Sequence, residues 1–295
     1  MLDLKPFTSE RMAGIRPLLD TQKYRTCDYT VGGLYMWRKY FDQLFAVEDD
    51  MLFISADYLD KGKCFAVPVG NGDLEKALSK ISEYCLGSSV PLKFCCVTEK
   101  GLDELKSVLG EPRSVVEYRD WADYVYPYSN FLGYHGKKLV TPRNHCNRFM
   151  REFPDHEYEN IDGSNVDKAK GFLVENAPIL EKAAPLAKEE YLRAVEVMDR
   201  FVDFGFTGGM LSVGGKTVGV TVGEIVGDTL YVHIEKALRE YSGAYPMLAS
   251  LYAKQNENEK LLYINREDDS GDPGLRRSKL EYHPSEIITK YAVEF

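Results

Sequence analysis

The chain has 295 residues, enough for two domains or one large one, and 44% hydrophobic with 28% charged residues suits a globular protein with a sizeable core. A net charge of −9 argues against broad, non-specific binding to nucleic acid or anionic lipid, while leaving room for a local basic patch. No apolar run reaches the roughly 18–20 residues of a membrane-spanning helix; the opening MLDLKPFTSERM lacks a signal-peptide core, and the six cysteines lack zinc-site spacing. The expectation is a cytoplasmic protein, at most peripheral at a membrane, with reduced thiols and no metal.

Along the first half, Leu2–Phe7 reads as a short strand, and Ser9 and Glu10 open an amphipathic helix through Leu19. A second helical stretch places Leu34, Trp37 and Arg38 about a turn apart. Three strands follow at Gln43–Val47, Leu52–Ala56 and Cys64–Val69, separated by turn signals. Asp73 caps a helix with Leu74, Ala77, Leu78, Ile81 and Cys85 on one face. The apolar run at 91–97 is a buried strand, Leu102–Leu109 a short helix, and Arg113–Tyr126 one long strand or a bent pair.

The same order then starts again. A strand at His156–Ile161 precedes helices at Val166–Glu175 and Lys188–Phe204, and Gly214-Gly215-Lys216 joins the strands Thr207–Val213 and Thr217–Ile225 in a hairpin. A strand–helix–strand unit spans Tyr231–Arg276, followed by a helix around Leu275–Tyr282 and a closing strand Glu286–Val293. Each half reads strand, two helices, three strands, helix, strand, helix, strand, a structural repeat without a repeat of residue identities. The expected division is a lobe at 1–130 and another at 131–295.

Between the halves, FLGYHGKKLVTPRNHCNRFMR (131–151) holds five Lys or Arg and no acid. Thr141 as cap and Pro142 at the first position predict a helix there. Asn144, Asn147, Arg148 and Arg151 fall at i, i+3, i+4 and i+7 on it, a basic face which, with Arg143, suits an anionic group such as tRNA. A solvated linker helix explains the same spacing.

The Tyr231–Arg276 unit concentrates the residues able to do chemistry. Strand alternation puts Val232 and Ile234 on one side and His233 and Glu235 on the other, an imidazole and a carboxylate able to act as acid or base. Ser242-Gly243-Ala244-Tyr245 then runs into Pro246, read as the first helical residue; such a helix start can hold phosphate. The second strand ends in Asn265-Arg266-Glu267-Asp268-Asp269, where ligands commonly bind in open α/β sheets.

The segments KKLVTPRNHCNRF, YVHIEKALREYSGAYPMLASLYA and LYINREDDSGDPGLRRSKLEYHP resemble the C-terminal catalytic region of bacterial phosphatidylglycerol lysyltransferases and its stand-alone relatives, over roughly residues 20–290. The doubled order resembles the tandem GNAT (acetyltransferase-like) fold of that group and of the Fem aminoacyltransferases. The resemblance implies an α/β (α+β) protein of two mixed, twisted sheets flanked by helices, with the active cleft in the C-terminal lobe. It also implies an acyltransferase that takes an aminoacyl group from aminoacyl-tRNA to a hydroxyl or amine on a small-molecule, peptide or lipid acceptor. The transmembrane region of full-length lysyltransferases has no counterpart here. Acyl-CoA-dependent acetyltransferases carry Arg/Gln-x-x-Gly-x-Gly/Ala at the pyrophosphate loop; here Gly243 is fourth after Arg239, and Glu240 brings an acid close. That places an aminoacyl donor ahead of acyl-CoA.

Acyl transfer needs a polarised carbonyl, a group to take the nucleophile's proton and a proton for the leaving group. Proton removal is assigned to Glu235 or His233, and carbonyl polarisation to backbone N–H groups of Lys236, Ala237 and Leu238. Ser242, Gly243, Ala244 and Tyr245 hold the donor; Asn265, Arg266 and Glu267 shape the acceptor pocket, with Arg276 and Lys279 as anion contacts. No bound cofactor is expected. The rival from another class is a non-catalytic module binding tRNA, a peptide or a metabolite in the same cleft.

Overall fold

The computed structural model describes residues 2–58, 61–176 and 185–295. In chain order the elements begin β1 (Lys5–Pro6), α1 (Ser9–Leu19), α2 (Val31–Trp37), β2 (Leu44–Glu48), β3 (Met51–Tyr58), β4 (Gly62–Phe65) and β5 (Val69–Gly70). They continue α3 (Leu74–Ser88), β6 (Lys93–Val97), α4 (Glu99–Leu109), β7 (Ser114–Glu117), β8 (Asp123–Pro127), α5 (Val140–Glu152) and β9 (His156–Asn160). Next come α6 (Val166–Asn176), α7 (Pro185–Met198), β10 (Thr207–Val213), β11 (Lys216–Val226) and β12 (Thr229–Ala237). Last are α8 (Ala244–Gln255), β13 (Tyr263–Asn265), α9 (Pro273–Glu281), β14 (Glu286–Ile288) and β15 (Tyr291–Glu294).

The chain divides into two compact units, Met1–Asp123 with Ile288–Phe295, and Tyr124–Ile287. The division falls at 123/124 rather than 130/131, and the last strand belongs with the first unit. Each unit holds a mixed sheet. The first is ordered β1-β2-β3-β4-β6-β15-β7, with β5 on β3; the second is β9-β10-β11-β12-β13-β8-β14. The two orders match position for position, so the structural repeat is real and both sheets are the mixed, helix-flanked sheets of a tandem GNAT-like fold.

Local chemistry explains the elements. The Asp73 carboxylate accepts from the Lys76 N–H at 3.2 Å, and Ala77, Leu78, Ile81 and Cys85 form the buried stripe of α3. Gly214 and Gly215 both have positive φ, as a two-residue hairpin with matching twist requires, and Val213 pairs with Lys216 across it.

Several boundaries differ from those read in the sequence. Arg113–Tyr126 is two strands parted by a 3-10 turn at Arg119–Trp121, and the two join different sheets. The closing stretch likewise is β14 and β15, one per sheet, not a single strand. Helix α7 ends at Met198, and turns carry the chain on to Phe204. Helix α5 begins at Val140 after Leu139, which makes no side-chain cap, so Thr141 and Pro142 lie inside the first turn. Pro246 is the third residue of α8, not the first, because Ala244 donates to the Tyr241 carbonyl and starts the turn earlier.

Candidate active site

Strands β12 and β13 run parallel but pair only at Thr229–Tyr263, Leu230–Ile264 and Tyr231–Asn265. Strand β12 continues to Ala237 while β13 stops, and Glu267 (φ 58) turns the chain away in the left-handed region. The Asn265 Oδ1 accepts from the Glu267 N–H at 2.7 Å and supports that conformation. Beyond the third pair, side chains rather than backbone hydrogen bonds link the two strands.

Two charged groupings make those links. His233 Nδ1 meets Glu267 Oε1 at 2.7 Å and its Nε2 meets Glu224 Oε1 at 3.0 Å; the His233 and Glu224 side chains are fully buried, and that of Glu267 is 20% exposed. Burial alone would lower the imidazole pKa, but the two carboxylates outweigh it and raise it to about 9. His233 is therefore an imidazolium at neutral pH, which fits a fixed cation better than a base. Next to it, the Arg266 guanidinium pairs with the Glu235 carboxylate and lies 4.6 Å from the Tyr282 ring centre. The Arg266 Nη1 is buried and makes no hydrogen bond.

Sequence alternation missed one device here. Val222 pairs with Ile234 and Gly223 with Val232, so His233 is the extra residue of a β-bulge. The strict alternation that put His233 and Glu235 on one face is interrupted at that residue. From Ile234 onward the ladder is regular, and the Leu238 N–H donates to the Val218 carbonyl at 2.8 Å. Leu238 is thus not free to polarise a donor carbonyl, and Lys236, two residues back, faces β11 in the same sense. The N–H groups of Glu235 and Ala237 turn the other way, towards the edge that β13 has left.

The remaining residues singled out in the sequence are held by contacts of their own. Lys279, 7% exposed, donates its ammonium to the Arg266 and Asp268 carbonyls and so clamps the loop. Arg276 grips Asp269 through Nε and Nη2 at 2.8 and 2.7 Å, and the Tyr124 hydroxyl donates to the same carboxylate at 2.6 Å. Burial works against the charge on Asp269, yet these bonds prevail and its pKa falls to about 2. Both cations are engaged within the protein rather than presented to an outside anion. Lys236 pairs with Glu190 of α7 at 2.7 Å.

At the start of α8, Gly243 has φ 91, and a Cβ there would sit 2.3 Å from the His145 carbonyl oxygen of α5. Ala244 is buried, while Ser242 and Tyr245 are partly exposed. On α5, Asn144, Asn147, Arg148 and Arg151 are all exposed, and Arg148 pairs with Glu152 one turn on. Arg143 instead donates to the Tyr134 and Gly136 carbonyls, closing the segment before the helix. Glu224, the second partner of His233, is a lone acid inside the apolar run VTVGEIV, a pattern that signals a buried partner.

Residues 21–294 match the family model described as phosphatidylglycerol lysyltransferase, C-terminal. A conserved protein of unknown function from Bacteroides thetaiotaomicron is similar over 100% of both chains, with 32% identity and a TM-score of 0.92. The C-terminal domain of a putative lysylphosphatidylglycerol synthetase from Agrobacterium fabrum shares the fold at 12% identity and TM-score 0.67, covering 97% of this chain and 92% of that one. FemX shares it at 10% identity and TM-score 0.62, covering 100% and 98%. No curated protein matches the chain.

Proposed function

Because the chain belongs to the phosphatidylglycerol lysyltransferase C-terminal family, whose fold supports acyl transfer, we propose that it moves an aminoacyl group from aminoacyl-tRNA to an amine or hydroxyl. The observation that carries the choice of donor is Gly243. Its missing side chain accommodates the His145 carbonyl of α5, so this turn packs a helix where an acyl-CoA enzyme would present a glycine-rich pyrophosphate loop. Helix α5 in turn exposes Asn144, Asn147, Arg148 and Arg151, a face suited to a polyanionic backbone rather than a single diphosphate.

In this reading the ester carbonyl of the donor lies along the free edge of β12. The Ala237 N–H and the unfilled Arg266 Nη1 donate to its oxygen as negative charge develops there. Glu235 takes the proton of the attacking amine or hydroxyl, and a proton returns to the ribose oxygen as the ester bond breaks. His233 fixes Glu267 at the acceptor side. Ser242 and Tyr245 contact the donor's terminal nucleotide, and Asn265 holds the acceptor loop in shape. A binding module without catalysis is the second reading, favoured by the full engagement of both His233 nitrogens.

The test is binding and transfer with bulk aminoacyl-tRNA, set beside acetyl-CoA. Arg148→Ala with Arg151→Ala should weaken tRNA binding and reduce the slope of log affinity against log salt by roughly 1.4–1.8. Glu235→Gln, in which the amide still faces buried Arg266 but without charge, should lower stability; in the fraction that remains folded, tRNA affinity should hold while transfer falls about 10²–10⁴-fold. Heat of binding with acetyl-CoA and none with tRNA would replace this donor. Intact tRNA binding with no transfer to any amine or hydroxyl acceptor would favour the module.

A further inference from the structure

The first unit contains a cavity of about 50 Å³ whose lining includes Asp28, Trp37, Phe41, Gln43 and Tyr58. At the roughly 10–15 Å³ that each water-sized group needs, it has room for about three to five such groups. Gln43 is 8% exposed, and its buried Oε1 has no hydrogen-bond partner in the protein. A carbonyl oxygen held out of water in this way calls for a donor from outside the chain.

The surrounding charge says which donor. Lys290, 1% exposed, lies 2.6 Å from the Asp28 carboxylate and 2.7 Å from that of Asp123, and Asp28 brings its carboxylate to the cavity wall. Phe41 and Tyr58 pack with ring centres 4.6 Å apart, and Trp37 follows at 5.9 Å from Phe41, offering π faces. The same aromatic chain already holds an ammonium of the protein's own. Tyr58 contacts Trp121, Trp121 stacks on Tyr118, and Lys61 Nζ lies 4.0 Å from the Tyr118 ring centre and 4.4 Å from that of Trp121. Asp28, Trp37 and Phe41 are each partly exposed.

We propose that this cavity binds the head group of a small primary alkylammonium, held by the Gln43 Oε1, the Asp28 carboxylate and the faces of Trp37, Phe41 and Tyr58. The site lies wholly in the first unit. A primary ammonium supplies the hydrogen that the Gln43 carbonyl lacks, is attracted by the Asp28 carboxylate and meets the ring quadrupoles. A neutral alcohol of the same size does only the first of these.

The experiment titrates the full chain with n-propylammonium chloride and follows both melting temperature and the side-chain amide resonances of glutamine in ¹⁵N-labelled protein. Potassium chloride at matched ionic strength and n-propanol are the controls. A saturable shift of the Gln43 amide and a rise in melting temperature are expected with propylammonium alone. Gln43→Leu, which keeps the volume and leaves the Lys290 ion pairs intact, should weaken binding at least tenfold. Equal effects of propanol would mean a water-filled polar pocket and overturn the proposal, as would undiminished binding by the folded Leu variant or no saturation with propylammonium.

Discussion

At the scale of single residues, His233 shows how a bulge converts a candidate base into a fixed charge. Its folded pKa of about 9 lies above the unfolded value near 6.5. The sign follows directly: the stabilisation is fully present below pH 6.5 and fades as pH rises through 9. It amounts to roughly 3 kcal/mol at 1.4 kcal/mol per pKa unit. Urea unfolding at pH 6, 7.5 and 9 should show wild-type stability dropping over this window, and His233→Gln should flatten the curve. Identical pH slopes for the two proteins would remove the imidazolium. The sequence showed His233 and Glu235 as chemistry-bearing, because a histidine and an acid on an apolar strand stand out. It could not show the bulge, which is a property of the pairing with β11 and leaves no mark in the residues themselves. Arg276 and Lys279 were legible as cations near the site, but whether a cation faces outward depends on carbonyls and carboxylates that the loop brings back to it.

Among the elements, the contact between α5 and α8 is decisive. Gly243 combines positive φ with a backbone neighbour 2.3 Å from where a Cβ would be, so neither a rotamer change nor a side-chain shift can relieve a substitution. Gly243→Ala should lower stability by about 2 kcal/mol or more and disturb the orientation of the basic face. Gly171→Ala on α6 has open space around the added methyl and should instead stabilise by roughly 0.5–1 kcal/mol. Chemical denaturation of both variants checks the pair, and comparable losses would mean that the α5–α8 contact is looser than described. Element identity was largely readable from periodicity and turn residues: the α3 stripe, the Gly214-Gly215 hairpin and the β10–β12 order all follow from local rules. Helix starts were less so. Thr141-Pro142 and Gly243 through Pro246 carry start signals, yet Leu139 and Tyr241 determine where the first turns close, through contacts that sequence spacing does not report.

Over the whole molecule, the doubled strand order was visible in the sequence, but the assignment of strands to sheets was not. In each sheet the position next to the last is filled out of chain order: β15 lies between β6 and β7, and β8 lies between β13 and β14. Strands of four or five residues look alike wherever they pair, so a linear reading assigned the closing strand to the second lobe. Removing residues 289–295 takes away β15 together with Lys290, and so removes a cation from beside the Asp28 and Asp123 carboxylates. Hydrogen exchange on that truncated chain should show loss of protection throughout β6 and β7. Retained protection at both strands would mean that β15 is dispensable.

The same arrangement sets a timetable for synthesis. When the ribosome has made residue 123, the first sheet still has a vacancy between β6 and β7, and its filler is the stretch Tyr291–Glu294. Roughly 170 residues must be added first, which at about 5–20 residues per second leaves two unpaired strand edges open for some ten to thirty seconds. During that interval a nascent chain offers a ready place for a strand from another copy. The exposed Val115 and Val116 of β7 stand at that edge, and the speed of translation, rather than the stability of the finished protein, then decides how often the wrong strand arrives first.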